Sequence, residues 1–156
     1  MIYVFDSNTF RIIGHYFPER FPSFWKKLNE YTAEGKIISV REVYNELSHQ
    51  LVKKHLTEWV KKNKKIFLSP TAEEMKFVGE IFKIKHFQYL VTQKQRLKGT
   101  PVADPFVIAS AKINLGYVVT EEESKPNSAK IPNVCEHFKI KCMNLEKFMK
   151  KEGWEF

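Results

Sequence analysis

Met1-Ile2-Tyr3-Val4-Phe5-Asp6-Ser7-Asn8 is a run of five apolar residues that ends abruptly in a carboxylate. A strand covered on one face alternates apolar and polar residues, whereas this run does not alternate, so it reads as a strand buried on both faces. The same pattern recurs along the chain. Ile37–Val40 follows Gly35, Ile66–Leu68 leaves through Ser69-Pro70, and Tyr117–Thr120 follows Gly116. Ile140–Met143 is a weaker fifth run.

Helical patterns lie between these runs. Phe21–Glu34 places Phe24, Leu28 and Tyr31 at helical spacing, and Gly35 is positioned to end it. Arg41–Val60 puts Val43, Leu47 and Leu51 on one face and predicts one long helix, with Leu56 and Trp59 joining that face. Thr71–Ile84 opens with a capping-box-like Thr-Ala-Glu-Glu. Pro105–Leu115 is apolar nearly all round, as a buried helix is, and Gly116 stops it. Leu145–Lys151 is a short basic helix. Strands alternating with helices predict a layered α/β domain with a mostly parallel sheet, helices on both faces, and a single domain over residues 1–156.

Composition narrows the function. Lys and Arg number 26 against 18 Asp and Glu, a formal net charge of +8 that favours a polyanionic partner such as nucleic acid. No apolar run approaches the ~20 residues of a membrane span, and the opening run is too short for a signal-peptide core. The two cysteines, Cys135 and Cys142, form no C-x-x-C pair, which argues against structural zinc and for reduced thiols in a cytoplasmic protein.

Acids are the scarcer charge, so their placement is informative. Asp6 is the first residue past the first strand, and Glu121 and Glu122 directly follow the fourth. Glu42 and Glu46 follow the second strand, four apart on one helical face, and Asp104 stands before the buried helix. In an open α/β sheet the site lies beyond the carboxyl ends of the strands, at the topological switch point. Carboxylates gathered there repel one another unless a cation sits among them, and hard oxygen donors without His or Cys select Mg²⁺ or Mn²⁺. Such an ion polarises a phosphate and lowers the pKa of an attacking water, so a basic chain with an acidic centre suits phosphodiester chemistry. Each acid also has a plain structural role open to it. Asp104 before Pro105 fits a helix N-cap, Asp6 a turn, Glu42 and Glu46 a solvated face, and Glu121–Glu123 a loop tip.

These residues resemble the PIN domain, a metal-dependent nuclease fold, over nearly the whole chain. The resemblance rests on Asp6-Ser7-Asn8 after the first strand and on Glu46-Leu47 after the second. It rests further on Asp104-Pro105-Phe106-Val107-Ile108-Ala109-Ser110-Ala111 and on Thr120-Glu121-Glu122, where Glu122 stands for the family's usual aspartate. Lys130-Ile131-Pro132-Asn133-Val134-Cys135 is similar to a less characterised branch of the family. The resemblance implies a three-layer α/β/α sandwich with strand order 3-2-1-4-5. It also implies Asp6, Glu46, Asp104 and Glu122 as the catalytic and metal-holding acids for one or two Mg²⁺ or Mn²⁺ ions. Ser7, Asn8, Thr120, Glu42 and Glu121 are expected to support them. The implied activity is an endoribonuclease of the VapC-like toxin type, often dimeric, with a small antitoxin as partner.

Residues 81–103 contain no acid and include Lys83, Lys85, Lys94, Arg96 and Lys98, with Phe87 and Tyr89 interleaved. That stretch is a candidate clamp for an RNA backbone, a solvated face being the alternative. Lys53, Lys54, Lys61, Lys62, Lys64 and Lys65 form a second basic cluster, around a Trp59 expected to pack inward. Rival readings are a non-catalytic RNA- or protein-binding module with a decayed site and a housekeeping RNA-processing or DNA-directed nuclease. A phosphate-transferring enzyme using Asp6 as nucleophile is disfavoured by Asn8, which occupies the place of a paired acid.

Overall fold

The computed structural model describes residues 1–50, 52–91 and 102–156. Its five strands are β1 (Tyr3–Phe5), β2 (Ile37–Val40), β3 (Phe67–Leu68), β4 (Tyr117–Val119) and β5 (Lys141–Met143). They form one all-parallel sheet in the order 3-2-1-4-5. β1 is central and pairs on one side with β2, Tyr3 opposite Ile37, and on the other with β4, Phe5 opposite Val119. Tyr3, Val4 and Phe5 are all fully buried, which is why the run carries no polar residue.

Helices sandwich the sheet. Around β1 and β2 come α1 (Ser7–Ile13), α2 (Pro22–Ala33), α3 (Arg41–Ser48) and α4 (Lys54–Lys62). Then follow α5 (Ala72–Lys83), α6 (Asp104–Ile113), α7 (Ile131–His137) and α8 (Leu145–Glu152). Tyr3 and Phe5 point to one face, where Phe148 of α8 meets their rings at 4.7 and 5.2 Å and Phe10 of α1 meets Phe5 at 5.7 Å. Trp59 of α4 continues that layer against Phe10 and Trp25, so it packs inward as expected. The opposite face belongs to α6, whose Val107, Ile108, Ala109, Ser110 and Ala111 are all buried, with α5 and α7 beside it.

Three features depart from the sequence reading. The single helix expected over Arg41–Val60 is two. At the end of α3 the Ser48 hydroxyl donates to the Tyr44 carbonyl at 2.8 Å, and His49 Nδ1 lies 2.7 Å from the Asn45 carbonyl. These side chains compete for the carbonyls that the next helical turn would use. Leu51, placed on that face, lies outside the described residues. Second, α1 and α7 were not anticipated: each is a seven-residue helix, too short to show a clear period. Third, Leu115 rather than Gly116 takes the left-handed turn after α6, at φ 53°. Gly116 is required for closeness instead, because a Cβ there would stand 2.5 Å from the Ile2 carbonyl oxygen.

Candidate metal centre

The sheet order sets the site. From β1 the chain proceeds to β2 and β3 on one side, then returns to lay β4 on the other. The crevice between the carboxyl ends of β1 and β4 is therefore the switch point. Asp6 leaves β1 there, its amide donating to the Val119 carbonyl at 3.0 Å. Its Oδ1 accepts the Ser7 amide at 2.7 Å, which makes it the N-cap of α1 and fixes the carboxylate.

Three carboxylates converge at this point. One oxygen each from Asp6, Asp104 and Glu122 lies within 4.8 Å of the others. Asp104 is the first residue of α6, with Ala103 at the cap position and Pro105 behind it, so the aspartate is not itself the N-cap. The ordinary use of an Asp-Pro pair is thus set aside, and the carboxylate turns to the cluster. Glu122 reaches in from the loop after β4, and its Oε2 accepts the Ile131 amide at 3.0 Å. The extra methylene of glutamate is tethered by that amide.

The neighbours hold these acids in place. Thr120 Oγ1 stands 3.0 Å from Asp6 Oδ2 and 3.2 Å from Asn8 Oδ1, and itself accepts the Glu122 amide at 3.2 Å. Asn8 Oδ1 accepts the Glu121 amide at 3.0 Å, tying α1 to the loop that carries Glu122. Ser7 Oγ donates to Glu46 Oε1 at 2.8 Å. Ser7, Asn8 and Thr120 are thus all engaged in orienting the acids and their loop.

Glu46 is adjacent but is not one of the three converging groups. Its oxygen is shared between Ser7 and Arg11, the latter at 3.6 Å. Its charge nevertheless reaches Asp6 and Asp104. Two other expected helpers face elsewhere. Glu121 Oε1 accepts the Leu145 amide at 2.8 Å and so caps α8. Glu42 pairs with Arg41 at 3.2 Å, and the acid that acts on it is Glu74. Lys83 and Lys85 are exposed at the end of α5 and just beyond, Lys83 paired with Glu80 at 2.9 Å. Lys94, Arg96 and Lys98 lie outside the described residues.

The electrostatics are those of a site short of positive charge. Burial pushes the Asp6 carboxyl up to about 7, and the charges of Glu122 and Glu46 add to this against the lowering effect of the Ser7 amide and the Thr120 hydroxyl. Burial likewise holds Asp104 well above the usual carboxylate range, reinforced by Asp6, Glu122 and Glu46 and opposed by Lys130. Burial also raises Glu46, with Ser7 and Arg11 working against it. Buried carboxylates that repel one another either take up protons or hold a cation. An all-oxygen donor set of this kind could hold a hard metal ion.

Two participants were not singled out from the sequence. Arg11 follows Ser7 by four residues, a spacing that has meaning only once α1 is known to be a helix. Lys130 comes to Asp104 because the amide of the next residue, Ile131, binds Glu122. No pattern of spacing announces that approach.

No curated protein and no solved structure matches the chain. A family model does, over residues 3–156: the chain belongs to the family described as a domain of unknown function, DUF4411.

Proposed function

We propose that the protein is a metal-dependent ribonuclease that hydrolyses RNA phosphodiester bonds, with the carboxylate cluster as its centre. The observation that supports this most is the convergence of Asp6, Asp104 and Glu122, three acids from distant parts of the chain, within 4.8 Å at the switch point of a basic protein. The resemblance of the same residues to the PIN domain points the same way. Asp6, Asp104 and Glu122 would hold one or two Mg²⁺ or Mn²⁺ ions, with Glu46 contributing from the second rank. The ion, when bound, polarises the scissile phosphate and makes water a usable nucleophile near neutral pH. The chain's own work is positional. Thr120 and the Ser7 amide fix Asp6, the Ile131 amide fixes Glu122, Asn8 fixes the Glu122 loop, and Ser7 with Arg11 fixes Glu46. The reading extends to a cytoplasmic toxin of a toxin–antitoxin pair, a homodimer silenced by a small antitoxin.

The test is cleavage of end-labelled single-stranded RNA with Mg²⁺, with Mn²⁺ and with EDTA, beside Asp6→Asn and Asp104→Asn. Cleavage should need the metal and disappear in both variants, whose melting profiles should still show a folded protein. Cleavage at wild-type rate in either variant would remove the assignment. A wild-type protein that binds Mn²⁺ no better than Asp6→Asn would instead identify a binding module with a decayed site. Co-expression with a short adjoining reading frame, followed by light scattering, tests the antitoxin and the dimer.

A further inference from the structure

Beside the acidic centre, between α1 and α4, lies a pocket of about 330 Å³ lined by Arg11, His15, Val52, Lys53 and Leu56. No acid lines it. Its polar groups come from two elements and converge over an apolar floor. Ser7, Arg11 and His15 succeed one another every four residues, from the first turn of α1 to just past its end, so they descend one side of it. Four residues of helix, a rise of about 6 Å, separate Ser7 from Arg11. Lys53 enters from the other side, just before α4, its ammonium 5.9 Å from the Phe17 ring.

Arg11 connects this pocket to the centre. Its Nη2 approaches Glu46 Oε1 at 3.6 Å and donates to Gln50 Oε1. Its Nε and Nη1 make no hydrogen bond among the described residues, and the side chain is 38% exposed. A guanidinium has five N–H donors in a rigid fork, so one edge can serve Glu46 while another faces an anion. We infer that the pocket binds a backbone phosphate of single-stranded RNA, flanking the phosphate at the carboxylate centre. Arg11 acts there as a positioning residue shared by the flanking phosphate and Glu46. The inference rests on the nuclease reading, since the strand it positions is that enzyme's substrate.

The experiment measures binding of a fluorescent single-stranded oligoribonucleotide in EDTA across a salt series, and cleavage in Mn²⁺. The variant is His15→Ala/Lys53→Ala, which spares Arg11 and the Glu46 contact. Lys61→Ala/Lys62→Ala, on α4 but outside the pocket, is the charge control. The pocket variant should weaken binding about tenfold and flatten the salt dependence, one lost lysine contact to a single strand being worth a log–log slope of about 0.7. KM should rise with kcat kept, and Mn²⁺ affinity should stay at the wild-type value. Arg11→Ala should lower kcat as well, because it releases Glu46, and Arg11→Lys should recover part of the binding only. Unchanged binding and salt slope in the pocket variant, or an equal loss in the control, would overturn the inference. Weaker binding of DNA and RNA oligomers alike would leave the phosphate site and reassign the substrate. Failure of wild type to cleave in Mn²⁺ strikes the nuclease reading and not the pocket, because the binding arm needs no metal.

Discussion

Asp6 shows how one residue serves fold and site together. As the N-cap of α1 it must present an oxygen to the Ser7 amide, and as the first residue past the central strand it is buried. The cap favours its ionised form and the burial opposes it, and burial prevails: the carboxyl moves from 3.8 to about 7. Between those pH values the folded metal-free chain keeps a proton that the unfolded chain has released. Its contribution to stability is therefore full below pH 4 and is lost as pH rises through 7, at a cost of up to about 4 kcal/mol. Asp104 and Glu46 shift in the same direction. In EDTA the melting temperature should fall from pH 5 to pH 8 more steeply for wild type than for Asp6→Asn, whose amide does not titrate and can still bond Ser7 and Thr120. Mn²⁺ should raise the wild-type melting temperature at pH 8, do little at pH 5, and do little to Asp6→Asn at either pH. Thermal melts of the two proteins at both pH values check this, and equal pH slopes would contradict the burial of a titrating Asp6. Glu122 gives a second prediction at this scale. Its tether to the Ile131 amide suits the longer side chain, so Glu122→Asp should lower Mn²⁺ affinity and Glu122→Gln should lower it further, both read by calorimetric titration.

The elements explain what could be read before the fold was known. The inner strands declared themselves because a parallel sheet buries both faces there, leaving runs such as Tyr3–Phe5, fully buried and without a polar residue. α5 declared itself through Thr71, whose hydroxyl does accept the Glu74 amide at 3.1 Å. α6 did so through its apolar surface and Pro105. What escaped was shorter than the helical period can resolve. α1 and α7 are such helices, and they carry Arg11 and the Ile131 amide, so the centre's partners stayed hidden where its acids did not. Glu121 and Glu122, adjacent in sequence, are told apart there only by the resemblance to the family's Thr-x-Asp pattern, and each holds a different amide. The edge where β4 enters beside β1 also has a checkable cost. Gly116→Ala would put a methyl 2.5 Å from the Ile2 carbonyl oxygen, on backbone that cannot step aside, and should destabilise by about 1–3 kcal/mol. Gly79→Ala, in exposed α5 with nothing within 4 Å of the new methyl, should stabilise by up to about 1 kcal/mol. Urea denaturation midpoints of the two variants should therefore move in opposite directions.

For the whole molecule the excess of 26 cations over 18 acids is not spread evenly. Asp6, Asp104, Glu122 and Glu46 crowd one sheet edge, while Arg11 and Lys130 stand next to them and Lys53 stands one helix away. Such a protein attracts a polyanion over its surface and repels it at its centre until a cation is supplied. Long-range attraction and local repulsion can be separated by removing one acid. In EDTA at pH 8, above the value of about 7 to which burial pushes Asp6, Asp6→Asn should bind a single-stranded oligoribonucleotide several-fold more tightly than wild type, because one centre charge is gone and every surface cation remains. The same variant should show no cleavage in Mn²⁺, so that tighter binding and lost turnover come from one substitution. Raising salt should weaken both proteins in parallel, since the phosphate contacts they release are the same. Fluorescence anisotropy over a salt series makes the comparison directly. Weaker binding by Asp6→Asn would mean that this carboxylate supports the surface rather than opposing the strand, and the division between an acidic centre and a cationic surround would have to be redrawn.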